Sequence, residues 1–148
     1  MFVVDTNLLL YAVNPDAEDH THAYELIESW RREDRRWYVT WNIVYEFLRV
    51  STHHKVFGRP LSLRQAKEWI ASLVRSPNVG VLSPTDRHLD VLAELIARHP
   101  RLRGNLVHDM HTVVLMREHG IAEIRTADAD FHQFRFLTVV NPLVSGSV

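Results

Sequence analysis

The chemistry this sequence can do rests on carboxylates that lie far apart along the chain. Asp5 ends the apolar run Phe2-Val3-Val4. Glu46 sits inside the stretch Ile43, Val44, Phe47, Leu48, Val50. Asp109 opens the segment Leu106–His119, and Asp128 and Asp130 follow Ile121–Thr126. Each has an ordinary role open to it. An Asp after a strand caps a helix, an acid in a helix first turn is favoured by the dipole, Asp pairs suit turns, and Glu46 suits an exposed helix face. What sets them apart is that Asp5 and Asp128 each follow a strand-like run. Asp109 and Glu46 each lie early in a helix-like one.

Gathered at one place, these groups pose an electrostatic problem. Two carboxylates about 5 Å apart at an effective dielectric near 20 repel by about 3 kcal/mol. Four of them stay together only with raised pKa values or with a cation between them. A set of oxygen donors alone suits Mg²⁺ or Mn²⁺. Zinc is disfavoured: the ten histidines include His53, His54, His108 and His111, but the chain has no cysteine and no paired histidines backed by a third ligand.

The elements that must position these groups alternate. Strands are predicted at Phe2–Val4, Trp37–Val39, Val79–Leu82, Ile121–Thr126 and Leu137–Val140. Between them, helical spacing runs from Leu8, from Asp19 to about Arg32, from Trp41 to about Ser51, from Ser62, from Ser83-Pro84-Thr85-Asp86, and from Asn105 to His119, where Gly120 stops it. Inward positions are expected at Ala23, Leu26, Ile27 and Trp30 in the second helix. In the fourth they are Leu63, Ala66, Ile70, Leu73 and Val74, and in the fifth Leu89, Leu92, Ala93 and Ile96. Such alternation predicts a three-layer α/β/α fold with a central, mainly parallel sheet of about five strands. Parallel sheets bind ligands at the carboxyl ends of their strands, where Asp5 and Asp128 would lie.

Length and composition set the outer limits. A chain of 148 residues fits one domain, expected over residues 1–143 with a tail at 144–148. Hydrophobic residues make up 46% and charged residues 24%, ordinary values for a globular protein. The amino terminus lacks the basic flank of a signal peptide, and no apolar run is long enough to span a membrane. A soluble cytoplasmic protein is expected. Net charge is −1, which argues against bulk electrostatic binding of nucleic acid. Yet ten basic residues stand against four acids between Arg31 and Arg75. A basic surface beside an acidic site suits an enzyme that holds a polyanion while metal does the chemistry.

Four segments in this order resemble the PIN-domain nucleases, most closely the VapC-type toxins of bacterial toxin–antitoxin pairs. They are Val3-Val4-Asp5-Thr6-Asn7, the lone Glu in Asn42-Ile43-Val44-Tyr45-Glu46-Phe47, His108-Asp109, and Thr126-Ala127-Asp128-Ala129-Asp130-Phe131. The likeness covers essentially the whole chain. It implies an endoribonuclease dependent on Mg²⁺ or Mn²⁺. On that reading Asp5 and Asp109 are the principal metal ligands, Asp128 completes the cluster, and Asp130 is secondary. Glu46 binds or orients the attacking water, with Thr6, Asn7 and Thr126 in support. One departure stands out: Met110 and His111 follow Asp109 where the family usually has small residues. His111 is expected to meet a neighbouring element.

Candidate RNA contacts are Arg35, Arg36, Trp41, Arg49 and Arg103. The apolar stripes between Asp19 and Val74 exceed what a thin core hides, so a homodimer contact and a groove for a small antitoxin protein are expected there. The alternatives are an RNA-processing PIN nuclease that is not a toxin, and a catalytically silent RNA- or protein-binding scaffold. An aspartyl phosphatase needs a second acid at position 7, which is Asn. A receiver domain needs paired acids at its first strand.

Overall fold

A computed structural model describes residues 1–144. Its centre is β1 (Phe2–Val4), three apolar residues buried on both faces. β2 (Trp37–Thr40) and β4 (Glu123–Arg125) flank it, β3 (Val79–Leu82) lies outside β2, and β5 (Thr138–Val140) lies outside β4. All four pairings are parallel, and the order is β3-β2-β1-β4-β5. Phe2 pairs with Trp37 in register, and Val4 with Arg125. The expected tail at 144–148 falls, beyond Val144, outside the described residues.

The chain steps outward from β1 to β2 to β3, then returns to β4 on the other flank of β1. Right-handed crossovers therefore place the first two sets of helices on one face and the third set on the other. The first sets are α1 (Thr6–Val13), α2 (His20–Arg32), α3 (Trp41–Ser51) and α4 (Leu63–Val74). The third comprises α5 (His88–Arg98) and α6 (Leu106–Glu118). Helices α1 and α2, α3 and α4, and α5 and α6 pack as neighbours, and α3 also reaches α6. That last contact is where the two faces meet beyond the strand ends.

Local chemistry fixes the helix starts unevenly. Thr40 caps α3, its hydroxyl accepting the Ile43 N–H at 3.1 Å. Ser62 and Gln65 form a reciprocal capping box on α4. Asp19 and Asn105, where the sequence places the starts of α2 and α6, make no such side-chain bond. Helix α6 is buried along the unbroken run Thr112–Met116, so it is a core helix. Gly120 ends it at φ 67°, a left-handed position that favours glycine, and the Ile121 N–H reaches back to the Met116 carbonyl at 2.9 Å.

Two expected inner faces are corrected. Helix α5 begins at His88, later than expected, and buries Val91 and Leu95 with Leu92 partly covered. Leu89 is 73% exposed, and Ala93 and Ile96 are exposed as well. Both sets have helical spacing, so periodicity could not choose between them; packing against α6 does. On α4, Ala66, Ile70 and Leu73 are buried, whereas Leu63, at the first turn, stands in solvent.

Candidate active site

The strand order reverses between β1 and β4, and the carboxyl ends of those strands carry Asp5 and Asp128. This is the switch-point crevice at which open parallel sheets bind ligands. Asp5 continues the sheet ladder, its N–H donating to the Arg125 carbonyl at 3.0 Å. Its side chain then turns into a dense network. Oδ1 accepts the Thr6 N–H at 2.7 Å; Oδ2 accepts the Thr126 hydroxyl at 2.7 Å and Asn7 Nδ2 at 3.0 Å.

Thr126 is buried and fully used. It donates to Asp5 and accepts from Asn7 Nδ2 at 3.0 Å and from the Asp128 N–H at 2.9 Å, which exhausts a hydroxyl's one donor and two acceptors. Asn7 completes the link by accepting the Ala127 N–H at 3.2 Å. Asp128 in turn accepts the Asp130 N–H at 2.8 Å and so opens the 3₁₀ turn Ala129–Gln133. On the other side Thr6 donates its hydroxyl to Glu46 Oε2 at 2.9 Å. Asp5 is thus joined to Glu46 through its neighbour Thr6 and to Asp128 through Thr126.

A cavity of about 690 Å³ opens beside this network. Glu46, Asp109, Asp128 and Asp130 are in its wall; so are Asn42, Tyr45 and Arg49 from α3, and Asn105, Leu106 and His108 from the start of α6. The acids sense one another. Burial pushes Asp109 up to about 7, with further upward pressure from Asp5, Asp128, Glu46 and Asp130 in that order. Burial likewise pushes Asp5 up to about 6, against the hydrogen bonds from Thr126 and Thr6, with Glu46 and Asp128 adding repulsion. Carboxylates that hold protons this tightly form a site in want of positive charge.

Among the described residues, no three His, Asp or Glu side chains stand close enough together to enclose an ion. The donor set nonetheless fits a hydrated hard cation. Its oxygens are all carboxylate, and Mg²⁺ retains several waters and binds protein through one or two carboxylates. A closed cage is not required.

Several expected positions are placed elsewhere. Arg35 and Arg36 precede β2 and so lie at the amino edge of the sheet, away from the carboxylates. Arg35 pairs with Glu123 and stacks over Phe2 at 4.8 Å. Charge counted along the sequence did not reveal which edge it occupied. Trp41, 51% exposed, lines an apolar groove with Val44, Tyr45 and Leu48 of α3 and Ile70 and Val74 of α4; Tyr45 borders both this groove and the acidic cavity. Arg103 is exposed in the loop before α6 and is not part of the cavity wall. Of the five RNA-contact candidates, only Arg49 stands in that wall. Glu46 is exposed to the cavity side rather than pressed against the apolar stripe, because Ile43, Val44 and Phe47 turn inward on the opposite face of α3. His111 turns away from the acids, its ring edge-on to His88 at 5.9 Å. Tyr45, missed in the sequence, enters the wall from the residue before Glu46; only its place one turn from Arg49 could have signalled it.

A profile of the PIN domain matches residues 2–137. Ribonuclease VapC48 of Mycobacterium tuberculosis is 33% identical over 138 residues, covering 93% of this chain and 94% of the relative. Ribonuclease VapC37 of the same organism is 34% identical over 134 residues, covering 90% and 92%. Among solved structures, M. tuberculosis VapC20, described as a sarcin–ricin loop cleaving toxin, superposes with a TM-score of 0.67 at 20% identity over 93% of this chain and 97% of that one. VapBC-1 from nontypeable Haemophilus influenzae gives 0.65 at 17% identity over 97% and 98%. These two similarities speak to the fold. With sheet order, acidic cavity and sequence in agreement, the chain belongs to the PIN domain family, with the VapC ribonucleases as its relatives.

Proposed function

We propose that this chain is an endoribonuclease dependent on Mg²⁺ or Mn²⁺, and that it is the toxin of a toxin–antitoxin pair. The observation that carries the reading is the set of acids at the switch point, Glu46, Asp109, Asp128 and Asp130 in the wall of one cavity and Asp5 in the network beside it, with Asp5 pushed up to about 6 and Asp109 to about 7. Asp5 and Asp109 would hold the ion, Asp128 completes the charge, and Asp130 is a secondary contributor. Bound there, the metal would lower the pKa of water and offset charge on the phosphoryl oxygens.

The protein's own groups supply the remainder. Glu46 Oε2 is held by the Thr6 hydroxyl, and Oε1 has no protein donor among the described residues, so Oε1 is the atom that takes the proton from the attacking water. Thr126 and Asn7 fix Asp5 Oδ2. The permanent charge of Arg49 draws a phosphodiester towards an otherwise repulsive wall. The nuclease domain is assigned to residues 1–143.

The named relatives are ribonucleases, and VapBC structures share the fold, which supports RNA as substrate and a small antitoxin as partner. The apolar groove between α3 and α4 and a second between α1, α2 and α4, lined by Val13, Tyr24 and Trp69, supply surface for an antitoxin segment and a homodimer contact. Among the described residues no helix is long and apolar enough to cross a membrane, in keeping with action on RNA in the cytoplasm. Incubating a mixed RNA pool with the wild type and with Asp5→Asn, with Mg²⁺ and with chelator, tests the reading. Cleavage confined to the wild type with metal is expected; identical products from both proteins would end it.

A further inference from the structure

Hydrolysis of a phosphodiester builds negative charge on the phosphoryl oxygens as deprotonated water bonds to phosphorus, and groups aimed at that charge lower the barrier. The cavity wall is poorly supplied with them. Glu46, Asp109, Asp128 and Asp130 stand around it, and Arg49 is its one Arg or Lys among the described residues. Glu46 lies three residues before Arg49 on α3, a spacing at which opposite charges commonly pair on a helix. Here the Thr6 hydroxyl holds Glu46 Oε2 instead, and no carboxylate among the described residues pairs with Arg49. The guanidinium is therefore not spent on the protein's own acids. Asn42, Glu46 and Arg49 follow one another at helical spacing along the face of α3 that forms the wall. Glu46 and Arg49 are about 4.5 Å apart along the axis. A water that gives its proton to Glu46 Oε1 stands next to the phosphorus it attacks, so the phosphate nearest Arg49 is the scissile one.

We infer that Arg49 is a catalytic residue, its guanidinium donating to the non-bridging oxygens of the scissile phosphate and holding them more tightly as attack proceeds. This rests on the nuclease reading and adds to it a named source of transition-state stabilisation within the chain. The water oxygen bonds to phosphorus while the bond to one ribose oxygen breaks. Glu46 Oε1 takes the water's proton, and the departing oxygen takes one from solvent. Arg49 exchanges no proton: a guanidinium stays charged throughout, and its planar fork matches a phosphate with two parallel N–H donors. Lysine in its place would supply the charge without the fork. An interaction that strengthens in the transition state appears in kcat, whereas one equally strong in the ground state appears in KM. Drawing the substrate in and stabilising its reaction are thus separable parts of what one side chain does.

The test is steady-state cleavage of fluorescein-labelled RNA oligonucleotides of mixed sequence by the full chain with Mg²⁺. Wild type, Arg49→Ala and Arg49→Lys are compared with and without millimolar guanidinium chloride, sodium chloride serving as the ionic-strength control. Arg49→Ala lowers kcat about 10²- to 10³-fold, the loss typical of one removed charge-stabilising donor, while KM rises only a few-fold. Guanidinium, and not sodium, restores part of the kcat of Arg49→Ala, and Arg49→Lys keeps part of it through its charge. Binding is read separately by fluorescence anisotropy on a slow background: Glu46→Gln and Glu46→Gln/Arg49→Ala hold the labelled RNA within a few-fold of each other. Wild-type kcat in Arg49→Ala overturns the assignment and leaves the nuclease standing. A loss of anisotropy as large as the loss of cleavage makes Arg49 a binding contact and overturns it. So does a fall in kcat that neither guanidinium nor lysine relieves, which marks a structural defect. If the wild type yields no more than Asp5→Asn, the nuclease reading fails first and this role with it.

Discussion

Thr126 donates its hydroxyl to Asp5 Oδ2 at 2.7 Å across 121 residues of sequence, while its oxygen accepts the N–H of Asp128. One buried hydroxyl thus sets the relative position of two acids on adjacent strands. Thr126→Val keeps the shape and removes the link, leaving the Asp128 N–H without its acceptor, Asn7 Nδ2 with Asp5 alone, and Asp5 Oδ2 short of one donor. A stability loss of about 1–3 kcal/mol is expected, with cleavage falling by an order of magnitude or more. Thr126→Ser should retain most of both. Urea unfolding and RNA cleavage measured on the two variants would separate these outcomes.

Asp5 and Asp109 differ in what their amides would do. Asp109→Asn removes a charge from a crowded site and should raise the melting temperature in chelator. Asp5 accepts from Thr6, Asn7 and Thr126, and an amide cannot accept from all three donors. Asp5→Asn should therefore lower that melting temperature. Both should abolish cleavage. Equal stability shifts in the two variants would contradict the network.

The pH dependence has a definite sign. Both aspartates hold protons more tightly folded than unfolded, at about 6 and about 7 against 3.8. Their contribution to stability is full below the unfolded value and is lost as pH rises through the folded ones. Glu118 acts oppositely at lower pH. Burial alone would raise it, but hydrogen bonds from Thr85 and His88 win and hold it below 4.5, so its contribution fades as pH falls. Melts in chelator from pH 5 to 8 should decline from the lower end of that range and level off above about 7. Added Mg²⁺ should reduce the decline, because metal binds the deprotonated acids. A chelated protein that grows more stable up to pH 8 would refute the assignment.

Glu46→Gln preserves an oxygen for the Thr6 hydroxyl and removes the proton acceptor. A fall in kcat of about 10²- to 10⁴-fold is expected with little change in melting temperature. Near-wild-type kcat would move the proton-accepting role to another group.

Arg35→Ala should leave RNA cleavage and its salt dependence unchanged, since Arg35 faces Glu123 and Phe2 at the opposite edge of the sheet. Its cost is confined to stability, at most about 1 kcal/mol for a partly exposed pair. Weakened RNA binding in this variant would place an RNA path at the amino edge.

The strand-then-acid pattern at Phe2–Asp5 was legible because three consecutive apolar residues buried on both faces have few other uses; before Asp128 the signal was weaker, since Ile124 is flanked by Glu123 and Arg125. The meeting of Asp5, Glu46, Asp109 and Asp128 at one sheet edge followed from parallel topology alone. What could not be read were quantities decided by neighbours in space. Leu89, Ala93 and Ile96 have the same helical spacing as Val91 and Leu95, and only contact with α6 selects the buried pair. Arg35 and Arg49 are equally basic in sequence; which end of a strand each adjoins separates structural charge from charge beside the cavity. Tyr45 carries little local signal beyond its place one turn from Arg49; that it stands exposed beside the cavity is decided by the packing of α3.

The Thr126–Asp5 bond also bears on synthesis. In translation, the anchor of Asp5 and its partner Asp128 follow it by more than a hundred residues. While the ribosome is still reading the intervening codons, Asp5 has only its local partners Thr6 and Asn7, with neither the Thr126 hydroxyl nor the companion acid after the fourth strand. On the proposed nuclease reading, the acidic site is therefore assembled only after the fourth strand has been made, when most of the messenger has already been read.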